Sequence, residues 1–183
     1  MEFWQVFATS SVVAAGVTLA VNRLLKMHDD EQQRRATKQA IQAEIDFASE
    51  FAASYLDPAA VRSPIHRITT AFYEEGAPKL IALGCLNYQC SKALLIYYNN
   101  IAQMNRSLDV VLGLHKPEDA TRKQKELKRV FLKACSLVPR KELHRIASAP
   151  ELDPLEARTI RRKLAKYGAR SPYDEVKAHM GLV

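Results

Sequence analysis

The sequence has few of the residues that carry common chemistry or staple small folds. Its 183 residues include three cysteines, six glycines and one tryptophan. It contains no CxxC pair, no HExxH pair, no glycine-rich phosphate loop and no GxSxG elbow. These absences exclude a disulfide scaffold and leave the familiar zinc, nucleotide and hydrolase signatures without a match. We therefore predict no catalytic, cofactor-binding or metal-ligating residues and no enzyme activity.

The three cysteines, Cys85, Cys90 and Cys135, cannot all pair within one chain. They suit a reducing compartment such as the cytoplasm. Cys85 and Cys90 lie five residues apart on one predicted helix and would point in different directions, which argues against a shared metal site. We expect Cys85 and Cys90 to be small, buried side chains instead.

Sustained alternation of apolar and polar residues is also missing, so no strand is predicted. Helical periodicity is present along most of the chain. We predict an all-α protein with an N-terminal single transmembrane helix, a long antiparallel helical bundle or coiled-coil hairpin, and a small basic helical C-terminal subdomain. The predicted boundaries are 1–27, 28–116 and 117–183.

The predicted anchor is a run without charged side chains, 3–21. A helix from Phe3 to Leu25 would be roughly 35 Å long, enough to cross a hydrocarbon core of about 30 Å. Arg23 and Lys26 follow the run, whereas only Glu2 precedes it. This order disfavours a cleaved signal peptide and predicts a single span of the cell inner membrane, with the N-terminus outside and the C-terminal part cytoplasmic. The alternative is a buried core helix.

Small and polar residues form a stripe along this span. Such a stripe allows two helices to approach closely in lipid, so we expect a homo-oligomer. The predicted self-association face consists of Ala8, Ser11, Ala15, Gly16, Thr18 and Asn22.

The pattern of residues 28–116 predicts a stalk followed by long helices. Residues 28–39 lack an apolar face, but acid-to-base pairs four residues apart favour a solvated helix there. Residues 41–56 carry an apolar stripe that ends before Asp57 and Pro58. A second helix is predicted from Ser63 and Pro64, with Ile65, Ile68 and Phe72 inward and a stop at 76–78. A third is predicted without interruption from Lys79 to His115, about 55 Å long, packed against the first. Its apolar face consists of Leu94, Tyr97, Ile101, Met104, Leu108 and Val111.

The net charge of +7 is concentrated in the C-terminal third. Residues 1–115 contain 10 Lys and Arg against 11 Asp and Glu, whereas residues 116–183 contain 17 against 9. Helices are predicted for residues 118–137, around Leu143 and Ile146, from Asp153 to Gly168, and from Ser171 onward. The first should bury Leu127, Val130, Phe131, Ala134 and Leu137.

Two of these helices carry clusters of cations that predict contact with an acidic protein partner or with anionic lipid headgroups. Nucleic acid is a further candidate partner, although no recognised binding module supports it. A merely solvated charged face is the alternative. The predicted contact residues are Arg122, Lys125, Lys128, Arg129, Arg158, Arg161, Arg162, Lys166 and Arg170.

Three function classes follow from this organisation. The first is a membrane-anchored helical scaffold or interaction protein on the cytoplasmic face of the membrane. The second is an oligomerising membrane-disrupting or channel-forming effector, in which the span itself acts. The third is a membrane-tethered nucleic-acid-binding protein. The sequence favours the first, because it has an anchor and a basic surface but no readout element for bases.

Overall fold

The computed structural model describes residues 3–58, 66–114 and 116–181, with side chains described from residue 17 onward except that of Pro117. The chain is 82% helical, and these residues contain no strand. The predicted all-α class and helical bundle are confirmed. The helices are α1 Phe3–Leu56, α2 Ala71–Ala82, α3 Tyr88–Gly113, α4 Ala120–Leu137, α5 Arg140–Ala147, α6 Pro154–Tyr167 and α7 Pro172–His179, with a 3-10 turn at Pro117–Asp119.

Helix α1 joins the predicted span, the stalk and the first core helix in one element of 54 residues, roughly 80 Å at 1.5 Å per residue. In the stalk, Arg35 pairs with Glu31 at 2.9 Å, as the spacing predicts. Across the residues that the structure describes, no helix combines the length and hydropathy needed to cross a membrane. The side chains of Ala8, Ser11, Ala15 and Gly16 lie outside the described residues, so the self-association face stays a prediction.

The second half of α1 is built into the core. Ile41, Ile45, Ala48, Ala52 and Leu56 are fully buried, which confirms the predicted apolar stripe. Phe47 is half exposed, however, at 52%. The helix ends at Leu56, before Asp57 and Pro58, as predicted.

Helix α2 begins later than predicted. Ser63, Pro64 and Ile65 lie outside the described residues, and residues 66–70 are not helical, so the prediction of one helix through Ile68 and Phe72 is wrong. The side chain of Asn105 on α3 holds this segment: it accepts from the Ile68 amide at 2.9 Å and donates to the Ile68 carbonyl at 2.8 Å. Phe72, predicted inward, is 54% exposed.

A buried carboxylate from another helix caps α2. Glu44, on α1, is 2% exposed and accepts from the backbone amides of Phe72 at 3.2 Å and Tyr73 at 3.0 Å. These amides are among the first in α2 and have no partner inside their own helix. Glu44 also accepts from the Tyr98 hydroxyl of α3 at 2.7 Å. Burial, reinforced by this hydrogen bond, raises the pKa of Tyr98.

The predicted helix stop at 76–78 is wrong, because α2 continues through it to Ala82. Gly76 is a packing residue: a Cβ there would lie 2.8 Å from Thr37 Cγ2 and 3.2 Å from Ile41 Cδ1 of α1. Pro78 removes one backbone donor. Burial of Ala77 and Leu80 against the core holds the helix in spite of that loss.

The single helix predicted from Lys79 to His115 is also wrong. The chain leaves the helix after Ala82, Gly84 adopts a left-handed φ of 66°, and Asn87 starts α3 by accepting from the Cys90 amide at 2.7 Å. Glycine takes that φ without the penalty that a Cβ imposes. Cys85 lies exposed in this break, which corrects the prediction that Cys85 and Cys90 are both buried. Cys90 is buried as predicted, and Cys135 is buried too.

Helix α3 buries its predicted face, from Leu94 to Val111, completely. It packs most extensively against α4 rather than against α1, which corrects the predicted pairing. The Tyr97 hydroxyl nevertheless links three helices, since it lies 3.2 Å from the Ile45 carbonyl and 3.4 Å from the Leu137 carbonyl.

The C-terminal helices begin where their caps predict. Asp153 accepts from the Leu155 and Glu156 amides at the start of α6, and Ser171 forms a reciprocal capping box with Asp174 at the start of α7. Helix α7 is tied to α1 through Lys177, which pairs with Asp46 at 2.9 Å. One core cluster therefore includes residues of the predicted bundle and of the predicted basic subdomain.

Gly76→Ala tests the close packing of α1 and α2. Alanine favours the helix by about 1 kcal/mol, but overpacking costs about 1–3 kcal/mol. Thr37 cannot rotate freely, since its hydroxyl donates to the Gln33 carbonyl at 2.8 Å. We expect a net loss of about 1 kcal/mol in the free energy of unfolding, measured by urea denaturation. Gly113→Ala is the control and should not destabilise, because a Cβ added at Gly113 would have nothing within 4 Å. Equal effects at both sites would contradict this packing.

Candidate partner-binding groove

A groove separates α4 from α6. Helix α4 packs against α1 and α3, whereas α6 packs mainly on α5 and touches α4 at few points. The space left between them has a volume of about 910 Å³. We call it the α4–α6 groove. Its lining residues are Tyr55, Thr121, Gln124, Lys125, Leu127, Lys128, Val130, Phe131, Asp153, Leu155, Glu156, Arg158, Thr159 and Arg162.

Apolar side chains line part of the groove. Tyr55, Val130 and Phe131 are largely buried and belong to the core cluster. Leu127 and Leu155 remain open, at 40% and 70% exposure. The groove therefore offers apolar surface to an occupant.

Four cations line the groove together with these apolar residues. Lys125 and Lys128 come from α4, and Arg158 and Arg162 come from α6. The carboxylates in the lining are those of Asp153 and Glu156. One oxygen of Asp153 is engaged as the cap of α6, where it accepts from the Leu155 amide at 2.8 Å. Cations exceed carboxylates by two, so the groove favours an anionic occupant.

The groove brings together four of the nine predicted contact residues and leaves the other five elsewhere. Arg129 pairs with the buried carboxylate of Glu126 at 2.5 Å. Arg161 donates to the Ala147 carbonyl at 3.3 Å and lines a smaller cavity of about 490 Å³ near the α5–α6 turn. The remaining predicted residues are exposed and do not line the groove: Arg122, Lys166 and Arg170.

Among the residues that the structure describes, the Tyr55 hydroxyl has no hydrogen-bond partner, although Tyr55 is only 8% exposed. Burial raises the pKa of this phenol, so it is a neutral donor at physiological pH. Its ring is the last of a row of three on α1: the Phe51 and Tyr55 rings are tilted by 55° with centroids 5.3 Å apart, and the Phe47 and Phe51 rings are stacked with centroids 6.4 Å apart. An unpaired buried donor beside a groove is a specific feature, because buried donors are nearly always paired.

Sequence reasoning missed the apolar part of this site. The periodicity of α4 predicts Leu127 inward, but α6 does not cover it, so it stays exposed. Leu155 follows a first-turn proline, and no sequence pattern marks it as a binding residue. Tyr55 was predicted as core from its spacing, yet no pattern in the sequence shows that its hydroxyl lacks an acceptor. Of the features of this site, only the clusters of cations could be recognised in the sequence.

The arrangement is suited to binding by charge and apolar contact. Within the described ranges, no group of three or more His, Cys, Asp and Glu side chains is placed to hold a metal ion. Comparison of the chain with models of protein families, with curated proteins and with solved structures gave no match. The groove itself is therefore the main guide to what the protein binds.

Leu155→Ala and Leu152→Ala form a matched pair that tests whether the Leu155 side chain contributes to the stability of the fold. Leu152, three residues earlier, is 6% exposed and belongs to the core. We expect Leu155→Ala to change the free energy of unfolding by no more than about 0.5 kcal/mol. Leu152→Ala should cost about 2–5 kcal/mol. Urea denaturation of both variants measures this, and a large loss at Leu155 would mean that the groove is closed in solution.

Proposed function

We propose that the protein is a membrane-anchored helical scaffold that holds an acidic protein partner on the cytoplasmic face of the membrane. The N-terminal part of α1 is a single span with its N-terminus outside. The rest of α1 connects the span to the bundle, and the α4–α6 groove is the binding site. The observation that carries the proposal is the combination of cations and open apolar side chains in that groove.

Exposed apolar residues on α1 support the anchor. Large aliphatic side chains between residues 17 and 27 are 47–71% exposed, and no other helix of the described chain covers them. They lie on several sides of the helix: Val17, Leu19, Val21, Leu24, Leu25 and Met27. A helix that is apolar all round needs lipid or protein around it, and the charge-free run before it continues the same character.

Cation placement supports the orientation and the partner class. Arg23 and Lys26 follow the charge-free run directly, which favours retention of that end in the cytoplasm. The groove lies on the same side of the span, since Tyr55 belongs to the same helix further along. An acidic partner would then meet the groove on the cytoplasmic side of the membrane.

Val17→Arg with Val21→Arg tests the anchor. An arginine costs roughly 2.5–3.5 kcal/mol at the centre of a membrane helix, and less toward its ends. We expect the unsubstituted chain to stay in the membrane pellet after an alkaline carbonate wash and the double variant to be largely released. Gln32→Arg with Gln33→Arg, in the exposed stalk, adds the same charge and should leave the chain in the pellet. Release of the unsubstituted chain would contradict the anchor.

Cys85 provides a native label for the orientation. It is the exposed cysteine, whereas Cys90 and Cys135 are buried and burial raises the pKa of both thiols, that of Cys135 to about 12. A membrane-impermeant maleimide should therefore react at Cys85 alone. In intact bacterial cells expressing the chain, we expect labelling only after permeabilisation, and none in Cys85→Ser. Labelling of intact cells would place the bundle outside and contradict the proposed orientation.

A further inference from the structure

We propose that the α4–α6 groove binds an acidic amphipathic helix, and that an oxygen acceptor of this helix accepts a hydrogen bond from the Tyr55 hydroxyl. The proposal specifies the partner class for the binding site described above. It rests on the binding part of the proposed function and is independent of the membrane anchor.

The apolar lining defines one side of the occupant. Leu127 and Leu155 are exposed on the two flanking helices, and Phe131 is part of the same lining. A sugar-phosphate backbone could pair with the cations but would leave both leucines without apolar contact. An occupant with a continuous apolar stripe covers them, and an amphipathic helix has such a stripe.

The cations define the other side. Lys125 and Lys128 are three residues apart on α4, and Arg158 and Arg162 are four residues apart on α6. Each pair therefore lies on one face of its helix. Acidic side chains that flank the apolar stripe of a bound helix would meet one pair on each side. Such complementarity also rejects basic helices, because like charges would then face each other.

Tyr55 supplies the specific contact. Its hydroxyl is buried and has no acceptor among the described residues, although buried donors are nearly always paired. Tyr55 belongs to the groove lining, but its hydroxyl is enclosed, so an oxygen of a bound helix meets it only when the side chains around it shift on binding. Tyr55→Phe removes this donor and keeps the ring. In the free chain the buried, unpaired hydroxyl costs stability. A carboxylate or carbonyl of the bound helix would supply the acceptor, so the hydroxyl would then stabilise the complex.

The test uses the full chain in neutral detergent micelles and three fluorescent peptides of 18 residues. All three share one leucine stripe, and its flanks are glutamate, glutamine or lysine. Anisotropy titrations measure the dissociation constants. We expect the glutamate peptide to bind most tightly and the lysine peptide least tightly. Equal binding of the three, or binding no greater than to empty micelles, would overturn the proposal.

Two variants and one matched control locate the binding. Lys128→Glu with Arg162→Glu should weaken the glutamate peptide about tenfold or more, whereas Lys123→Glu with Arg170→Glu makes the same change of charge outside the groove and should have little effect. Tyr55→Phe should weaken binding about threefold to tenfold without lowering the melting temperature of the free chain. Equal loss in both charge variants, or unchanged affinity with a lower melting temperature in Tyr55→Phe, would overturn the site.

Other occupants have distinct outcomes in the same samples. Groove-dependent binding to phosphatidylserine vesicles without binding of the glutamate peptide would assign the groove to lipid. A dimer that dissociates in Lys128→Glu with Arg162→Glu would assign it to a second copy of the chain. Either result overturns the proposal. Carbonate extraction and Cys85 labelling are unaffected by the groove, so failure of the anchor and failure of the groove are told apart.

Discussion

The buried carboxylate of Glu44 is the interaction on which the arrangement of the first three helices depends. It accepts hydrogen bonds from two backbone amides at the start of α2 and from the Tyr98 hydroxyl of α3, while its own backbone belongs to α1. A carboxylate removed from water is costly unless such donors surround it. Here two of the donors are backbone amides at the start of α2 that would otherwise be unpaired. The same hydrogen bonds therefore reduce both the cost of burying the charge and the cost of leaving those amides without partners.

Once α1, α2 and α3 are joined, contacts with them restrict where the other helices can pack. Tyr97, next to Tyr98, points to carbonyl groups of α1 and α4, which places α4 against both. Asp46, two residues after Glu44, accepts hydrogen bonds from Lys177 and Tyr173 of α7. Helix α6 is held mainly through α5, so α4 keeps one uncovered side. The α4–α6 groove is a consequence of this order of attachment, because no other helix of the described residues fills it.

The continuity of α1 relates the two parts of the proposed function. Leu25 ends the proposed span and Tyr55 lies in the groove, with roughly 45 Å of helix between them at 1.5 Å per residue. An unbroken helix transmits position and orientation better than a flexible linker of the same length. A partner bound in the groove would accordingly be held at a defined distance from the membrane rather than within a diffuse volume around it.

The sequence by itself determined the helical class, the buried faces of α1 and α3, and the starts of α6 and α7, because periodicity and capping are local properties that survive without tertiary context. It also showed where positive charge is concentrated. Tertiary structure decided the rest. Gly76 reads as a helix stop but permits close contact with Thr37, and Leu127 has the spacing of a core residue but faces a gap. Glu44 reads as a solvated acid but caps a helix 28 residues away in sequence. These roles depend on which elements meet, and no local pattern specifies that.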